Sequence, residues 1–184
     1  LHEYYKVDSL ENYDSVFRGV AFLTYKHGKI DWLESNNEYW LERDAVLRTA
    51  FNITTGPQTA DMERIKLKSA MQAYYEKAGI PVCRYHLVHD YAAAKAFANM
   101  VGYPVVVKPD NGVGANNTYK LKSDDELDYF FATKDDNIYI MEEFVKGQVR
   151  TYDAIIDSNG DPIFETGNVT RESLMDVVND NDNS

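Results

Sequence analysis

The stretch Gly102–Lys120, which reads GYPVVVKPDNGVGANNTYK, constrains the fold more than any other part of the chain. Its first part, Pro104–Lys108, is a short apolar run of β-branched residues ending in one lysine. Such a run predicts a strand covered on both faces, which would place Lys108 at the edge of a core. Residues 109–117 favour turns, and a second strand is predicted at Thr118–Leu121. This order is that of a flap over a polyphosphate, although an ordinary hairpin whose lysine reaches water fits the same residues.

Composition and charge narrow the class of partner. The chain has 184 residues, 44% of them hydrophobic, and a net charge of −11. This charge argues against nucleic acid or an anionic membrane as the main partner, and no apolar run approaches the ~20 residues of a membrane span. A nucleotide needs only a local pair of cations and is not excluded. A single cysteine, Cys83, fits a reducing compartment, so we expect a cytoplasmic protein, and a homo-oligomer remains open.

The first 60 residues predict a piece of a parallel α/β sheet, because helical and strand patterns alternate. The predicted elements are the end of a strand at Leu1–Val7, a helix capped by Ser9 and stopped by Gly28, a strand at Lys29–Glu34 and a helix at Glu38–Phe51. Ligands gather beyond the carboxyl ends of such strands, so Glu34 is a candidate substrate contact. A helix-capping or solvent-facing carboxylate is the alternative for the same residue. Thr54–Ala60 contains breakers and predicts a linker.

The remaining residues predict a mixture of helices and short strands. These are a helix from Asp61 to about Ala78 stopped by Gly79, a strand at Pro81–Val88, a helix from Asp90 to Gly102, a helix capped by Ser123, and strands at Asn137–Met141, Arg150–Ile156 and Pro162–Glu165. Lys66 and Lys68 fall in the early turns of the first of these helices. Residues 171–184 are polar and predict a disordered tail. The acidic asparagine tail lacks the glycine and terminal glutamate of an EF-hand loop, so we expect no metal site there.

Three segments, in this order, resemble the ATP-grasp superfamily of carboxylate–amine ligases. They are most similar to segments of carbamoyl-phosphate synthetase large subunits and biotin carboxylases. The segments are Lys68–Met71 followed by Ala78–Pro81 (AGIP), Pro104–Lys108 with its glycine flap, and Ile140–Gly147 (IMEEFVKG) followed by the strand Tyr152–Ile156. The resemblance covers about Val7–Thr170.

The resemblance implies an α/β architecture in several parts. Residues 1–60 would be the end of a parallel α/β domain that precedes the ATP-grasp domain. Residues 61–184 would belong to the ATP-grasp domain, with a lid of antiparallel sheet and two helices at about 82–143. The start of a catalytic antiparallel sheet would follow at 144–170, and the tail at 171–184. By the same resemblance, further parts of such a protein would precede Leu1 and follow Ser184.

The resemblance also implies a nucleotide site. Lys68 and Lys108 would hold the ATP phosphates, with Lys66 as the alternative to Lys68 if the register slips by two residues. The flap, with Gly112, Gly114, Ala115 and Asn116, would close over the β- and γ-phosphates. The segment Glu142, Glu143, Phe144 and Val145 would present backbone groups to the adenine edge.

The implied activity is that of an ATP-dependent ligase. It would activate a small carboxylate as an acyl phosphate for attack by an amine or another nucleophile. Two departures stand out: Gln148 and Val149 occupy the place where many relatives carry a ribose-binding acid, and the family's magnesium ligands have no counterpart before Ser184. Mg²⁺ would then be held by later residues, the catalytic residues are not identified, and this segment would not turn over by itself. A non-catalytic nucleotide sensor and an interaction domain without nucleotide are the alternatives.

Overall fold

The computed structural model describes residues 2–112 and 117–170, and the chain divides into two compact units, Leu1–Ala78 and Gly79–Ser184. The helices are α1 (Tyr13–His27), α2 (Leu41–Ala50), α3 (Met62–Lys66), α4 (Lys68–Lys77), α5 (Tyr91–Val101) and α6 (Asp124–Thr133). The strands are β1 (Tyr85–Val88), β2 (Val105–Pro109), β3 (Tyr119–Leu121), β4 (Tyr139–Glu143), β5 (Arg150–Ile156) and β6 (Pro162–Val169). None of the described helices is long and apolar enough to cross a membrane. The predicted tail at 171–184 lies outside the described residues.

Helix α1 in the first unit ends where predicted but begins three residues later, because it has a different cap. Its N-cap is Asn12, whose side chain accepts a hydrogen bond from the Ser15 N–H. Ser9, the predicted cap, instead accepts from the Glu11 N–H one turn earlier. Gly28 ends the helix with φ +86°, a left-handed conformation that glycine adopts without strain.

The two strands predicted in the first unit are wrong, because its described residues form helices and irregular segments only. Leu1–Val7 and Lys29–Glu34 have strand-like composition, but no neighbouring strand pairs with them. The Leu33 carbonyl instead accepts hydrogen bonds from the Arg48 side chain. A β-strand requires backbone hydrogen bonds to a neighbouring strand. At Leu33 a side-chain donor takes the place of such a backbone partner.

The single helix predicted from Asp61 to Ala78 is two helices. Leu67, between α3 and α4, has extended backbone angles, φ −83° and ψ 122°, and this breaks the helix. The break makes Lys68 the first residue of α4. Gly79 has φ +74° directly after the C-cap Ala78, as the predicted stop requires.

The second unit contains a four-stranded sheet of order β1-β4-β2-β3, in which every neighbouring pair is antiparallel. The predicted antiparallel sheet with two helices is therefore confirmed, and we call it the lid sheet after its predicted role. Helices α5 and α6 pack against one face of this sheet, and the buried core between them consists of Val88, Ala94, Phe97, Ala98, Val105, Val107, Leu121, Leu127, Phe130, Tyr139 and Met141.

Local signals set the helix ends in this unit as predicted. Asp90 caps α5 by accepting from the Ala93 N–H at 2.8 Å, and Gly102 ends the helix with φ +83°. Ser123 caps α6, while Glu126 accepts from the Lys122 N–H rather than from that of Ser123. These contacts satisfy backbone N–H groups that a helix leaves unpaired at its start.

Strands β5 and β6 form a separate antiparallel hairpin. Strand β5 has the predicted bounds, whereas β6 continues to Val169, beyond the predicted end at Glu165. Every residue of both strands is exposed. The hairpin therefore adds no side chains to the core beneath the lid sheet.

The second unit is expected to lose stability in mild acid because of His86 in β1. Its Nε2 atom is buried without a hydrogen-bond partner among the described residues, and its ring stacks on Phe97 at 5.8 Å. Burial lowers the pKa of His86, and the nearby His89 lowers it further, against the opposing effect of Asp90. The unfolded chain thus binds more protons than the folded one as the pH falls below about 6.5, so stability falls with pH.

Hydrogen exchange of the β1 and α5 amides between about pH 7.5 and pH 5 measures this effect. A His86→Leu variant should show a flatter pH dependence than wild type. A variant of the exposed His89, His89→Gln, is the matched control and should retain most of the wild-type slope. Equal slopes for His86→Leu and wild type would contradict the assignment.

Candidate functional site

The face of the lid sheet opposite α5 and α6 carries the predicted lysine of the flap strand. Side chains alternate along a strand, and Val105 and Val107 lie in the core, so Val106 and Lys108 point to the opposite face. The same alternation around Met141 in β4 places Glu142 on that opposite face. Sheet register thus brings Lys108 and Glu142 to one surface.

Lys108 and Glu142 form an ion pair, with the lysine Nζ 2.6 Å from the glutamate Oε2. Glu142 lies opposite Val106 in the register, so Lys108 is its diagonal neighbour, within reach of two long side chains. The side chains are 27% and 10% exposed, respectively, so water screens their interaction only in part. The lysine is therefore held near the end of β2, an inner strand of the sheet, and does not extend freely into solvent.

Glu143, the other acid of the predicted pair, has a structural role. Its carboxylate accepts from the Arg84 backbone N–H at 2.8 Å and from the Arg84 Nε at 2.7 Å. These contacts lower the pKa of Glu143. The Glu143 backbone N–H donates to the Arg84 carbonyl, so this residue offers no N–H to a ligand.

Phe144 and Val145 follow the end of β4 and lie outside the ladder. Phe144 is half-buried, and its ring centroid lies 3.9 Å from the Lys120 Nζ. The motif analysis did not select Lys120. The signal for it lies in the alternation of β3, because Leu121 is a core residue and Lys120 pairs with Val106 in the register.

The remaining predicted phosphate contacts fall in different parts of the chain. Lys68 begins α4 in the first unit, whereas Lys108 lies in the second unit, and their convergence on one anion stays a prediction. Lys66 ends α3, and its amine lies 3.7 Å from the Glu38 carboxylate with a side chain only 10% exposed. Gly112 is described, whereas the flap residues Gly114, Ala115 and Asn116 lie outside the described residues.

Glu34, the candidate substrate contact, is engaged with Arg48 in the first unit. The Arg48 Nη2 donates to its Oε2 at 2.8 Å, and the other carboxylate oxygen accepts from the backbone N–H groups of Ser35 and Asn36. These contacts give Glu34 a role in holding its own loop, and its contact with a substrate stays a prediction.

A metal centre is not formed by the residues that the structure describes. Within residues 2–112 and 117–170, no group of three or more histidine, cysteine, aspartate or glutamate side chains is arranged to hold a metal ion.

Known proteins with similar sequences were identified for part of this chain. No protein-family model matches the chain. An L-arginine-specific L-amino acid ligase from Bacillus subtilis is 29% identical over 119 residues, which is 65% of this chain and 29% of that protein. The carbamoyl phosphate synthase large chain of Agathobacter rectalis is 26% identical over 118 residues, which is 62% of this chain and 11% of that protein.

A solved structure, the biotin carboxylase–β,γ-ATP complex from Campylobacter jejuni, superposes with a TM-score of 0.64 at 21% sequence identity. The match covers 85% of this chain and 38% of that one. At this identity the likeness establishes the fold. The antiparallel sheet with two helices on one face therefore has the fold of that structure. Both sequence relatives and this structure are ATP-grasp carboxylate–amine ligases, and the chain is similar to a part of each of them. It spans less than a third of the length of the two curated relatives described above.

Proposed function

We propose that this chain provides the ATP-contacting lid of a ligase that activates a small carboxylate as an acyl phosphate. The observation that carries the proposal is the Lys108–Glu142 pair on the lid face opposite the helices. A lysine amine is a compact cation suited to phosphate oxygens, and partial burial makes its attraction for an anion stronger than at an open surface. The relatives are ligases and a carboxylase, which supports ATP as the ligand and this class of reaction.

Each residue has a specific task in this proposal. Lys108 contacts a phosphate oxygen, and Glu142 orients its amine by a charge-assisted hydrogen bond. Backbone N–H groups of the flap residues Gly112–Asn116 donate to the terminal phosphates. The backbone groups of Phe144 and Val145, which lie beyond the ladder, contact the edge of the base. Lys68 supplies a second cation.

The substrate is proposed only as a class. The names of the relatives specify different chemistry, an amino acid ligase in one and carbamoyl phosphate synthesis in another. A small carboxylate attacked, after activation, by an amine or another nucleophile covers both. The relatives give no support to a non-catalytic sensor, and we propose a cytoplasmic enzyme that uses ATP with Mg²⁺.

Isothermal titration calorimetry of the chain with ATP, in the presence and absence of Mg²⁺, tests nucleotide binding. We expect ATP and inorganic tripolyphosphate to bind and AMP to bind more weakly, because the terminal phosphates meet the lysines. Hydrogen exchange should show protection by ATP in β2 and in residues 139–145. The hairpin β5–β6 is the internal control and should show no change. Absence of binding and of protection at saturating ATP would overturn the proposal.

A further inference from the structure

Lys120 shares a sheet face with the proposed phosphate contacts, yet it makes a different kind of contact. The register places Lys120 and Glu142 on either side of Val106, so the three residues form one row across β3, β2 and β4. Glu142 pairs with Lys108 in this arrangement. Among the described residues, the Lys120 amine contacts the Phe144 ring and forms no ion pair with a carboxylate.

The contact between Lys120 and Phe144 connects segments that lie on opposite sides of β2. Strands β3 and β4 lie on opposite sides of β2, and neighbouring strands are about 4.8 Å apart. The side chains of Lys120 and Phe144 therefore meet from opposite sides of β2, with the lysine amine 3.9 Å from the ring centroid. In this geometry the amine meets the negative face of the ring.

Phe144 depends on such a side-chain contact because the strand no longer holds it. Glu143 is the last residue of β4, and residues 144–149 have no ladder partner among the described residues. Lys120 and Phe144 are both half-buried, a setting in which a cation–π contact is stronger than at a fully exposed site. The contact with Lys120 on β3 thus holds Phe144, the first residue after β4.

The Lys120–Phe144 contact and the flap lie at opposite ends of the strand pair β2–β4. Val105 pairs with Glu143, whereas Lys108 pairs with Ile140, so the levels of Phe144 and Lys108 differ by about four residues, or about 14 Å along the strands. The flap follows the Lys108 end. In the proposed function the phosphates lie at Lys108 and the base lies toward Phe144.

We infer that Lys120 is a positioning residue for base recognition: its amine fixes the Phe144 ring beside the base end of the nucleotide site. This inference rests on the proposed function, and it assigns Lys120 no contact with phosphate. It predicts that ATP affinity, but not the affinity for the phosphate chain alone, depends on the positive charge at residue 120.

The test compares Lys120→Met, which retains the stem without the charge, with Lys120→Arg, which retains the cation. The exposed Lys122 provides the matched control, Lys122→Met. Calorimetry with ATP and with tripolyphosphate should show that Lys120→Met weakens ATP binding by about three- to tenfold and leaves tripolyphosphate binding unchanged. Lys120→Arg should restore ATP affinity to within about twofold of wild type, because guanidinium also stacks on aromatic rings.

The contact itself has a spectroscopic signature. The Lys120 ε-methylene protons should resonate upfield in wild type, because the ring current of Phe144 shields them, and should return toward ordinary values in Phe144→Leu. Unshifted resonances in wild type would overturn the inference.

The remaining outcomes separate the two proposals. Equal weakening of ATP and tripolyphosphate by Lys120→Met would make Lys120 a phosphate ligand and overturn the inference, as would ATP affinity unchanged by Lys120→Met. Wild-type protein that binds neither ligand would instead refute the proposed function, and the inference with it.

Discussion

Replacing Lys108 with methionine is expected to weaken ATP binding by about 10- to 100-fold, which corresponds to the loss of one hydrogen bond between charged groups. The same change removes the Lys108 cation from beside the Glu142 carboxylate, whose side chain is only 10% exposed. We therefore expect stability to fall as well, by about 1–2 kcal/mol, a value reduced from that of a fully buried pair because the lysine is partly exposed.

A second variant separates these two effects. The double variant Lys108→Met/Glu142→Gln also removes the largely buried negative charge, so it should recover part of the lost stability while ATP affinity stays low. The exposed Lys122→Met variant controls for the general loss of one positive charge. Calorimetry measures the affinity, and hydrogen exchange of β2 and β4 measures the stability. Wild-type ATP affinity in Lys108→Met would contradict the role assigned to Lys108.

Replacing Arg48 with methionine is expected to destabilise the first unit by about 3 kcal/mol. Arg48 is 1% exposed, and its guanidinium donates to the Leu33 carbonyl, the Pro57 carbonyl and the Glu34 carboxylate. Methionine retains much of the volume but removes every donor, so two backbone carbonyls lose their partners. Both tryptophans of the chain, Trp32 and Trp40, lie in this unit, so denaturation followed by tryptophan fluorescence reports on it selectively.

Three further variants make this prediction specific. Arg48→Lys retains the charge without the planar fork and should lose an intermediate amount of stability. Glu34→Gln retains an acceptor at a side chain that is 31% exposed and should lose less than about 1 kcal/mol. The exposed Arg18→Met should change little. An Arg48→Met transition that coincides with wild type would show that the buried guanidinium does not hold the loops together.

Local chemistry explains the parts of the fold that the sequence predicted correctly. Asp90 and Ser123 cap helices, and Gly79 and Gly102 end them, because each acts on backbone groups a few residues away. The flap strand and the strand leading to Glu142 were also predicted, since β-branched and aromatic residues favour extended backbone. The break at Leu67 was missed, because the helical pattern continues through it.

Strand pairing marks the limit of the sequence-based predictions. Lys29–Glu34 has the composition of a strand, but the hydrogen bonds to the Leu33 carbonyl come from Arg48, a residue on a later helix. Whether an extended segment becomes a strand depends on a neighbour that composition does not specify. The roles of the two neighbouring glutamates also depend on distant residues: Glu143 binds Arg84, whereas Glu142 binds Lys108.

The sequence alone determined the candidate site residues of this protein: a lysine ending a β-branched run, a glycine-rich stretch, and an acidic pair before an aromatic residue. Only the tertiary structure decided which of them meet. Sheet register and the alternation of side chains placed Lys108 and Glu142 together, turned Glu143 toward Arg84 and brought Lys120 to Phe144. The physical reason is that side-chain identity is a local property, whereas the facing of two side chains depends on the pairing of strands far apart in the chain.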